Sequence, residues 1–242
     1  FVNALIKAGV TVHRATAPFS AGGKQYPAGS YVVKAAQAFR PHVLDMFEPQ
    51  DHPNDVQYPG GPPIPPYDNA GWTLAFQMGV AFDRHLADVT GSFEALTDLA
   101  TPAPGTVSTP AGTTGYAIAH KHNDAFIVVN RLLKAGEEAY FVGNRRWQSG
   151  DGTGAIYVPA KASTAAVLQK AATDLGVSAV GVSERPSGAL MKLRKPRIGL
   201  WDQYGGSMPS GHVRWLLEQF EFDFEVVFPQ TLDAGNLKAK YD

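Results

Sequence analysis

Hydrophobic residues recur at helical spacing in a stretch near the middle of the chain. They follow the i, i+3, i+4, i+7, i+8 pattern that places apolar side chains on one face of a helix, and they are Ala125, Val128, Val129, Leu132 and Leu133. Asn123 precedes the pattern as a candidate N-terminal cap, and Gly136 follows it as a candidate helix stop. This pattern predicts an amphipathic helix packed on a sheet.

The same helix end occurs a second time. Residues 1–9 read FVNALIKAG and residues 128–136 read VVNRLLKAG, so Lys7 and Lys134 lie 127 positions apart (134 − 7). Val2, Leu5 and Ile6 repeat the apolar phase of the later helix. The repetition indicates a duplicated unit.

Each copy continues with the same order of predicted elements. A strand, a Gly-rich turn, a second strand and another helix follow each first helix. The predicted strands are residues 10–15 and 30–33 in the first copy, and 138–142 and 155–158 in the second. The predicted turns are residues 21–23 and 149–152. Each unit is therefore predicted to be α-β-β-α.

Two segments rich in proline and glycine separate the periodic stretches. Residues 53–66 contain most of the string YPGGPPIPPY and are predicted to form a surface loop, because prolines favour an extended path. Residues 101–114 are predicted to form a linker.

A basic, proline-marked joint at residues 191–197 precedes a strand, a helix and a second strand. Such a βαβ order predicts a parallel sheet.

These boundaries give a predicted organisation of the chain. The fold class is α/β, with duplicated α-β-β-α units followed by the start of a flavodoxin-like parallel-sheet domain. The first repeat with its proline-rich loop covers residues 1–104, the second covers 105–190, and the last domain covers 196–242. A strand-like lead-in at residues 115–120 has no counterpart before Phe1, so we expect the parent protein to begin earlier. Residues 234–242 lead up to the place where an α/β unit has its next buried strand, so we expect the last domain to be incomplete.

Composition narrows the function classes. The 242 residues are 44% hydrophobic and 18% charged, which is typical of a globular protein. The net charge of −1 predicts no nucleic-acid partner. No apolar run approaches the length of a membrane span, so none is predicted. Without cysteine, the chain has no disulfide, thiolate metal site or cysteine nucleophile.

Candidate metal ligands give no convincing site. The His-x-x-Glu spacing of zinc hydrolases is absent, so we predict no metal ligand and no catalytic residue. Three pairs with His-x-x-Asp spacing occur instead: His42/Asp45, His52/Asp55 and His85/Asp88. A surface or helix-capping role is the favoured interpretation of these pairs.

A glycine-rich loop that connects the predicted strand at residues 198–201 to the helix after it is one candidate ligand site. Gly205, Gly206, Ser207 and Ser210 precede or open a predicted helix, whose N–H groups and dipole could hold a phosphate or carboxylate. A small α/β enzyme acting on a phosphorylated substrate is one hypothesis from this loop. The favoured interpretation is a tight connection with Ser210 as helix cap, since no P-loop lysine is present.

Aromatic residues near the proline-rich loop and the last strands form a second candidate. Tyr67 and Trp72 could contribute to a groove for sugars or peptides, together with the aromatic residues Tyr58, Trp201, Tyr204 and Trp215. Core packing is the favoured interpretation of these aromatics, and a peptide- or carbohydrate-binding module is the alternative.

Three long strings carry a family resemblance. They are RPHVLDMFEPQDHP at residues 40–53, YPGGPPIPPYDNAGWTLAFQMGV at 58–80 and PRIGLWDQYGGSMPSGHVRWLLEQFEF at 196–222. The chain thereby resembles the region downstream of the peptidase domain in large bacterial zinc carboxypeptidase-family proteins. That region runs into a class I glutamine amidotransferase-like domain, which residue 196 onward resembles.

The resemblance implies a function for the parent protein more than for this chain. It implies an exported, zinc-dependent peptidase acting on peptide or peptidoglycan-like substrates, with the peptidase domain upstream. None of the seven histidines matches the family's zinc ligands, so the expectation is a non-catalytic accessory region with no cofactor of its own. Its expected partner is the upstream peptidase domain, with a peptide or glycan as a second partner.

Overall fold

The computed structural model describes residues 1–67, 71–143 and 154–242. Within them the chain is a mixed α/β protein, which confirms the α/β class. Tertiary contacts divide it into two compact units, residues 1–101 and residues 102–242. The finer division into three domains stays a prediction. No helix in the described ranges has both the length and the apolar character to cross a bilayer.

Unit 1 (residues 1–101) is built around a small antiparallel sheet with strand order β4-β1-β5, beside a β2-β3 hairpin. Its described elements are α1 (Val2–Lys7), β1 (His13–Ala15), β2 (Phe19–Ala21), β3 (Lys24–Tyr26), β4 (Tyr31–Val32), α2 (Arg40–Phe47), α3 (Leu74–Gln77) and β5 (Phe93–Ala95). The predicted Gly-rich turn at residues 21–23 is the tip of the β2-β3 hairpin, whose strands were not predicted. The predicted first strand is shorter than expected, since it begins only at His13.

The core of unit 1 sits between α1, α2 and the chain that enters β1. Leu5, Val10, Val12 and Val43 are buried together there. Helix α1 stops before Gly9, whose φ of +89° lies in the left-handed region that only glycine adopts at little cost. The predicted helix stop thus has its physical cause in the structure.

Residues 55–67 form an exposed loop that we call the proline hairpin. Its two arms are joined by an isolated antiparallel bridge between Val56 and Pro63. Every residue of the segment is exposed except Gly61 and Pro66, which are half-buried. The segment thus lies on the surface of unit 1, as the prolines predict.

Unit 2 (residues 102–242) contains a larger sheet with strand order β11-β8-β9-β7-β10-β6, and a separate β12-β13 pair. Its described elements are β6 (Val107–Ser108), β7 (Gly115–Ile118), α4 (Asp124–Lys134), β8 (Tyr140–Val142), β9 (Ile156–Pro159), α5 (Thr164–Leu175), β10 (Ala179–Val182), β11 (Leu190–Lys192), β12 (Ile198–Trp201), α6 (Met208–Gln219), β13 (Phe224–Val227), α7 (Pro229–Asp233) and α8 (Leu237–Lys240). Neighbouring strands of the larger sheet run antiparallel except β6, which runs parallel to β10.

Two predictions about unit 2 need correction. Residues 101–114 are not wholly a linker, because β6 pairs with β10 through Val107 and the half-buried Val107 side chain joins the core. Asn123 stands at the start of α4 but makes no capping hydrogen bond, since its own backbone is already helical (φ −57°, ψ −34°). The predicted turn at residues 149–152 lies outside the described residues.

The apolar face predicted for α4 is confirmed. Ala125, Val128, Val129 and Leu132 are buried, and Leu133 is half-buried. Together with α5, this face covers β7 and β9 and forms the main core of unit 2. The helix ends where Gly136 takes a φ of +77°.

A buried carboxylate joins the two helices of this core. The Glu137 side chain is only 1% exposed. The hydroxyl groups of Ser163 and Thr164, at the start of α5, donate to it at 2.5 Å and 2.9 Å. Lys161 Nζ lies 4.0 Å from the same carboxylate. Glu137 therefore fixes the start of α5 against the end of α4.

The C-terminal segment is the βαβ unit that the sequence predicts. β12 and β13 pair in parallel, with Ile198 opposite Phe224, and α6 connects them. The apolar residues of α6 are not all buried, however. Val213 and Leu216 are 43% and 48% exposed, and Leu217 and Phe220 are half-buried. This helix therefore presents apolar surface to solvent.

Polar side chains of α4 hold the turn between α6 and β13. Asn130 Nδ2 donates to the Phe220 carbonyl at 2.8 Å. The Arg131 guanidinium donates to both Glu221 carboxylate oxygens at 2.7–3.1 Å, and Lys134 Nζ donates to the Glu221 carbonyl at 2.7 Å. Donation of these hydrogen bonds to the Glu221 carboxylate raises the pKa of Arg131. We call these contacts the α4 latch.

Two more carboxylates extend the α4 latch. Arg131 Nη1 donates to Asp174 at 2.7 Å, and Lys134 lies 3.2 Å from Asp223, which also pairs with Lys195. Asp174 also accepts from Lys170 Nζ at 2.9 Å. Hydrogen bonds from Lys170 and Arg131 lower the pKa of Asp174, and hydrogen bonds from Lys195 and Lys134 lower the pKa of Asp223. The latch therefore ties the C-terminal βαβ unit to the helical layer of unit 2.

Candidate functional site

A crevice lies at the carboxyl ends of the parallel strands β12 and β13 of unit 2. Tyr204 follows β12, and Phe228, Pro229 and Gln230 follow β13. These four residues line an open cavity of about 320 Å³. In parallel α/β sheets the chain leaves each strand toward a helix at this edge, so ligands bind here more often than elsewhere.

The Gly-rich loop borders this crevice. Gly205 and Gly206 have φ values of +88° and +84°, which let the chain reverse between β12 and α6. Gln203 Nε2 donates to the Gly206 carbonyl at 3.1 Å and closes the turn. The loop is thus a defined connection that carries the first turn of α6 toward the crevice edge.

The helix cap of the loop differs from the one predicted. The N-cap residue of α6 is Ser207, which has an extended backbone and makes no capping hydrogen bond through its side chain. Ser210, predicted as the cap, is instead the third helical residue and is only 7% exposed. Pro209 occupies the second helical position, where it removes one N–H donor from the first turn. The start of α6 therefore offers one N–H donor fewer to an anion than a helix without proline in its first turn.

Charges near the crevice do not favour a phosphate. Residues 198–213 contain no Lys or Arg, and Arg214 pairs with Glu218 at 2.9 Å. Asp202 lies at the start of the loop, where its carboxylate accepts from the Gln203 N–H at 2.8 Å. The aromatic rings of Tyr204 and Phe228 favour an uncharged, partly apolar group at this edge.

Tyr67 and Trp72 belong to unit 1 and differ in environment. The Tyr67 side chain is fully exposed. Trp72 is half-buried, and its ring stacks on His52 with centroids 6.1 Å apart and planes 24° apart. Residues 68–70 between them lie outside the described ranges. The two rings are thus present at the surface of unit 1.

Core packing is the wrong interpretation for most of the singled-out aromatic residues. Tyr58, Tyr67, Tyr204 and Trp215 are between 58% and fully exposed, and Trp201 is 43% exposed. A short strand pair and a proline-rich loop offer little interior, so these rings remain at the surface. Exposed rings indicate a binding surface only where they form a contiguous patch, so the rings of each unit are considered separately.

A polar cluster in unit 1 was not predicted. Asp83 accepts from Lys24 Nζ at 2.5 Å and from the Tyr26 hydroxyl at 2.8 Å, while His85 Nε2 lies 2.9 Å from the same hydroxyl. The Asp-x-His spacing of residues 83–85 is the local signal, because alternate residues of an extended chain share a side. The position of Tyr26 has no local signal.

The electrostatics of this cluster indicate a structural role. The hydrogen bond from Lys24, followed by that from Tyr26, lowers the pKa of Asp83, and partial burial followed by the Asp83 contact raises the pKa of Tyr26. The phenol thus stays protonated, so it is neither a base nor a nucleophile at neutral pH. The cluster ties residues 83–85 to the β2-β3 hairpin.

The described residues bring no metal-ligand group together. Among residues 1–67, 71–143 and 154–242, no three His, Asp or Glu side chains are placed to hold one ion. Comparisons of the chain with protein-family models, with curated proteins and with solved structures find no match. Any functional assignment therefore depends on the surfaces described above and on the resemblance of the sequence.

Proposed function

We propose that this chain is a non-catalytic accessory region of a zinc-carboxypeptidase-like protein. Its work is to dock the peptidase domain of the parent or to help present a peptide or peptidoglycan-like substrate. The resemblance of residues 40–53, 58–80 and 196–222 motivates this proposal. The same resemblance implies an exported parent whose zinc is held upstream.

The observation that carries the proposal is the apolar surface of the C-terminal segment. Met208 and Trp215 lie two turns apart on one side of α6 and are 81% and 58% exposed. Trp201, Tyr204 and Phe228 add exposed rings at the ends of β12 and β13. Water contact with so many large apolar groups is unfavourable, and such surface commonly marks a protein interface.

A binding experiment tests the docking role directly. The peptidase domain of the parent is titrated into the chain, and binding is followed by calorimetry. We expect the Trp215→Asp and Met208→Asp variants to weaken binding, because each places a charge in the apolar interface. Leu86→Asp is the matched control, since Leu86 is 89% exposed in unit 1. Equal affinity of all three variants would contradict docking through α6.

The non-catalytic role and the parent's class have separate tests. The purified chain is assayed for zinc content and for hydrolysis of carboxypeptidase substrates, and we expect neither. Stoichiometric zinc or peptidase activity in the chain alone would overturn the accessory role. In the reading frame upstream of Phe1 we expect a His-x-x-Glu motif followed by a distant histidine, and its absence would remove the zinc-carboxypeptidase assignment.

The duplication proposed from the sequence has support in the strand pairing. In unit 1, β1 pairs antiparallel with β4, and in unit 2, β8 pairs antiparallel with β9. Each of β1 and β8 follows a helix that ends at a left-handed glycine, Gly9 or Gly136. We expect the Cα atoms of α1, β1 and β4 to coincide with those of α4, β8 and β9 after superposition. A different direction of α1 and α4 relative to these strands would contradict the duplication. The parallel β12-β13 pair similarly supports the proposed flavodoxin-like start.

A second candidate function is a peptide- or carbohydrate-binding module in unit 1. The fully exposed Tyr67 ring is the observation in its favour, because sugars and peptides stack on such rings. Calorimetry against peptides and glycans tests it, with Tyr67→Ala and Trp72→Ala variants. Uniformly absent heats would leave only the docking role.

A further inference from the structure

The proline hairpin has a defined geometry at its tip. The Gly61 N–H donates to the Tyr58 carbonyl at 2.7 Å across Pro59 and Gly60. Gly60 has a φ of +77°, so the turn is type II, with proline and glycine at the positions that this turn favours. The tip therefore holds the arm that follows it in a fixed direction.

The second arm of the hairpin carries a polyproline pattern. Residues 62–66 read PPIPP, which contains two overlapping Pro-x-x-Pro motifs, Pro62/Pro65 and Pro63/Pro66. Proline fixes its own φ near −65°, and a residue that precedes proline is confined to extended conformations. With three residues per turn of a polyproline II helix, each motif places both prolines on one edge.

Two backbone hydrogen bonds that flank the Val56–Pro63 bridge anchor the start of this arm to the first arm. The Ile64 N–H donates to the Asp55 carbonyl at 2.9 Å, and the Gln57 N–H donates to the Pro62 carbonyl at 3.1 Å. Pro62, Pro63, Ile64 and Pro65 are all exposed. A partner could therefore bind the arm without unfolding unit 1, and little conformational entropy would be lost.

We propose that the proline hairpin is itself a ligand for an aromatic-lined groove of a partner protein. Such grooves receive the two prolines of a Pro-x-x-Pro motif between parallel rings. The charge of the residues near the hairpin indicates which charge the rim of the partner's groove should carry. Asp51 and Asp55 are exposed just before and at the start of the hairpin, and they favour a partner with a basic rim rather than an acidic one. The nearby Glu48 and Asp83 already pair with Arg84 and Lys24. This role is separate from docking through α6.

The test uses the full chain and a panel of purified polyproline-binding domains of the SH3, WW and EVH1 classes. The panel includes members with basic and with acidic groove rims, and binding is measured by calorimetry. We expect saturable binding that favours basic rims. The double variants Pro62→Ala/Pro65→Ala and Pro63→Ala/Pro66→Ala each remove one of the two motifs. The variant that removes the motif bound by the partner is expected to lower the affinity about tenfold, which equals about 1.4 kcal/mol.

Matched controls separate recognition from folding. Pro53→Ala changes an exposed proline outside the motif and is expected to leave the affinity unchanged. Unchanged near-ultraviolet circular dichroism identifies variants that keep the fold. Absence of saturable binding across the panel would overturn the proposal, as would equal affinity of both double variants, of the Pro53 control and of the unaltered chain.

Discussion

The α4 latch gives the sharpest energetic prediction. Arg131 and Glu221 share three N–H···O contacts of 2.7–3.1 Å, and their side chains are 24% and 33% exposed. A hydrogen bond to a charged group contributes about 1.5–3 kcal/mol when buried, and an exposed ion pair contributes about 0.2–1 kcal/mol. Partial screening places this pair between the two ranges. We therefore expect a coupling free energy of about 1.5 kcal/mol.

A double-mutant cycle measures this coupling. Arg131→Met and Glu221→Ala are combined, and the free energy of unfolding is obtained from urea titration. Alanine removes the carboxylate acceptor, and it is preferred to glycine because residue 221 has a φ of +55°, where glycine would add the separate effect of relieved backbone strain. The exposed pair Arg214/Glu218 is the matched control, with an expected coupling of about 0.4 kcal/mol. A coupling at Arg131/Glu221 no larger than the control would refute the reasoning.

Three further predictions concern other parts of the fold. Gly176→Ala should lower the free energy of unfolding by about 2 kcal/mol, because φ is +71° and a Cβ would lie 2.6 Å from a backbone carbonyl oxygen. Gly136→Ala, at φ +77° in open space, should cost only about 1 kcal/mol, and equal urea midpoints would contradict the steric argument. Glu137→Ala should destabilise unit 2 by about 3 kcal/mol in thermal unfolding, since two hydroxyl donors at the start of α5 lose their acceptor; an unchanged melting temperature would contradict this. The pKa of Asp83 is lowered in the folded state by Lys24, so its stabilising contribution is present above the ordinary carboxyl range and is lost as pH falls through the lowered value; an NMR titration of Asp83 with an ordinary pKa would contradict it.

Local patterns predicted the elements whose signal is local. The face of α4 was readable because Ala125 to Leu133 keep one helical phase over more than two turns, and the parallel β12-β13 pair followed from two apolar runs around one helix. Strand β6 was not readable, because Thr, Pro and Gly surround it and its pairing with β10 lies about 70 residues away. Propensity cannot anticipate a strand that forms only on an existing neighbour.

The sequence predicted the position of the Gly-rich loop but not the residues that lie beside it in the fold. The loop of Gly205, Gly206, Ser207 and Ser210 lies between β12 and α6 as its composition indicates. The rings that share its crevice, Tyr204 and Phe228, are 24 positions apart, and only the parallel pairing brings them together. Polar contacts between distant residues, such as those of the α4 latch, have no periodicity that a sequence pattern can reveal.

The position of β6 has a practical consequence for expression of unit 2. Ala179 and Val180 of β10 pair with Val107 and Ser108, and Val180 is already 51% exposed. A fragment that began after β6 would leave β10 with unpaired backbone groups, and such an unprotected edge promotes aggregation by pairing with other molecules. Recombinant forms of unit 2 should therefore retain residues 102–109.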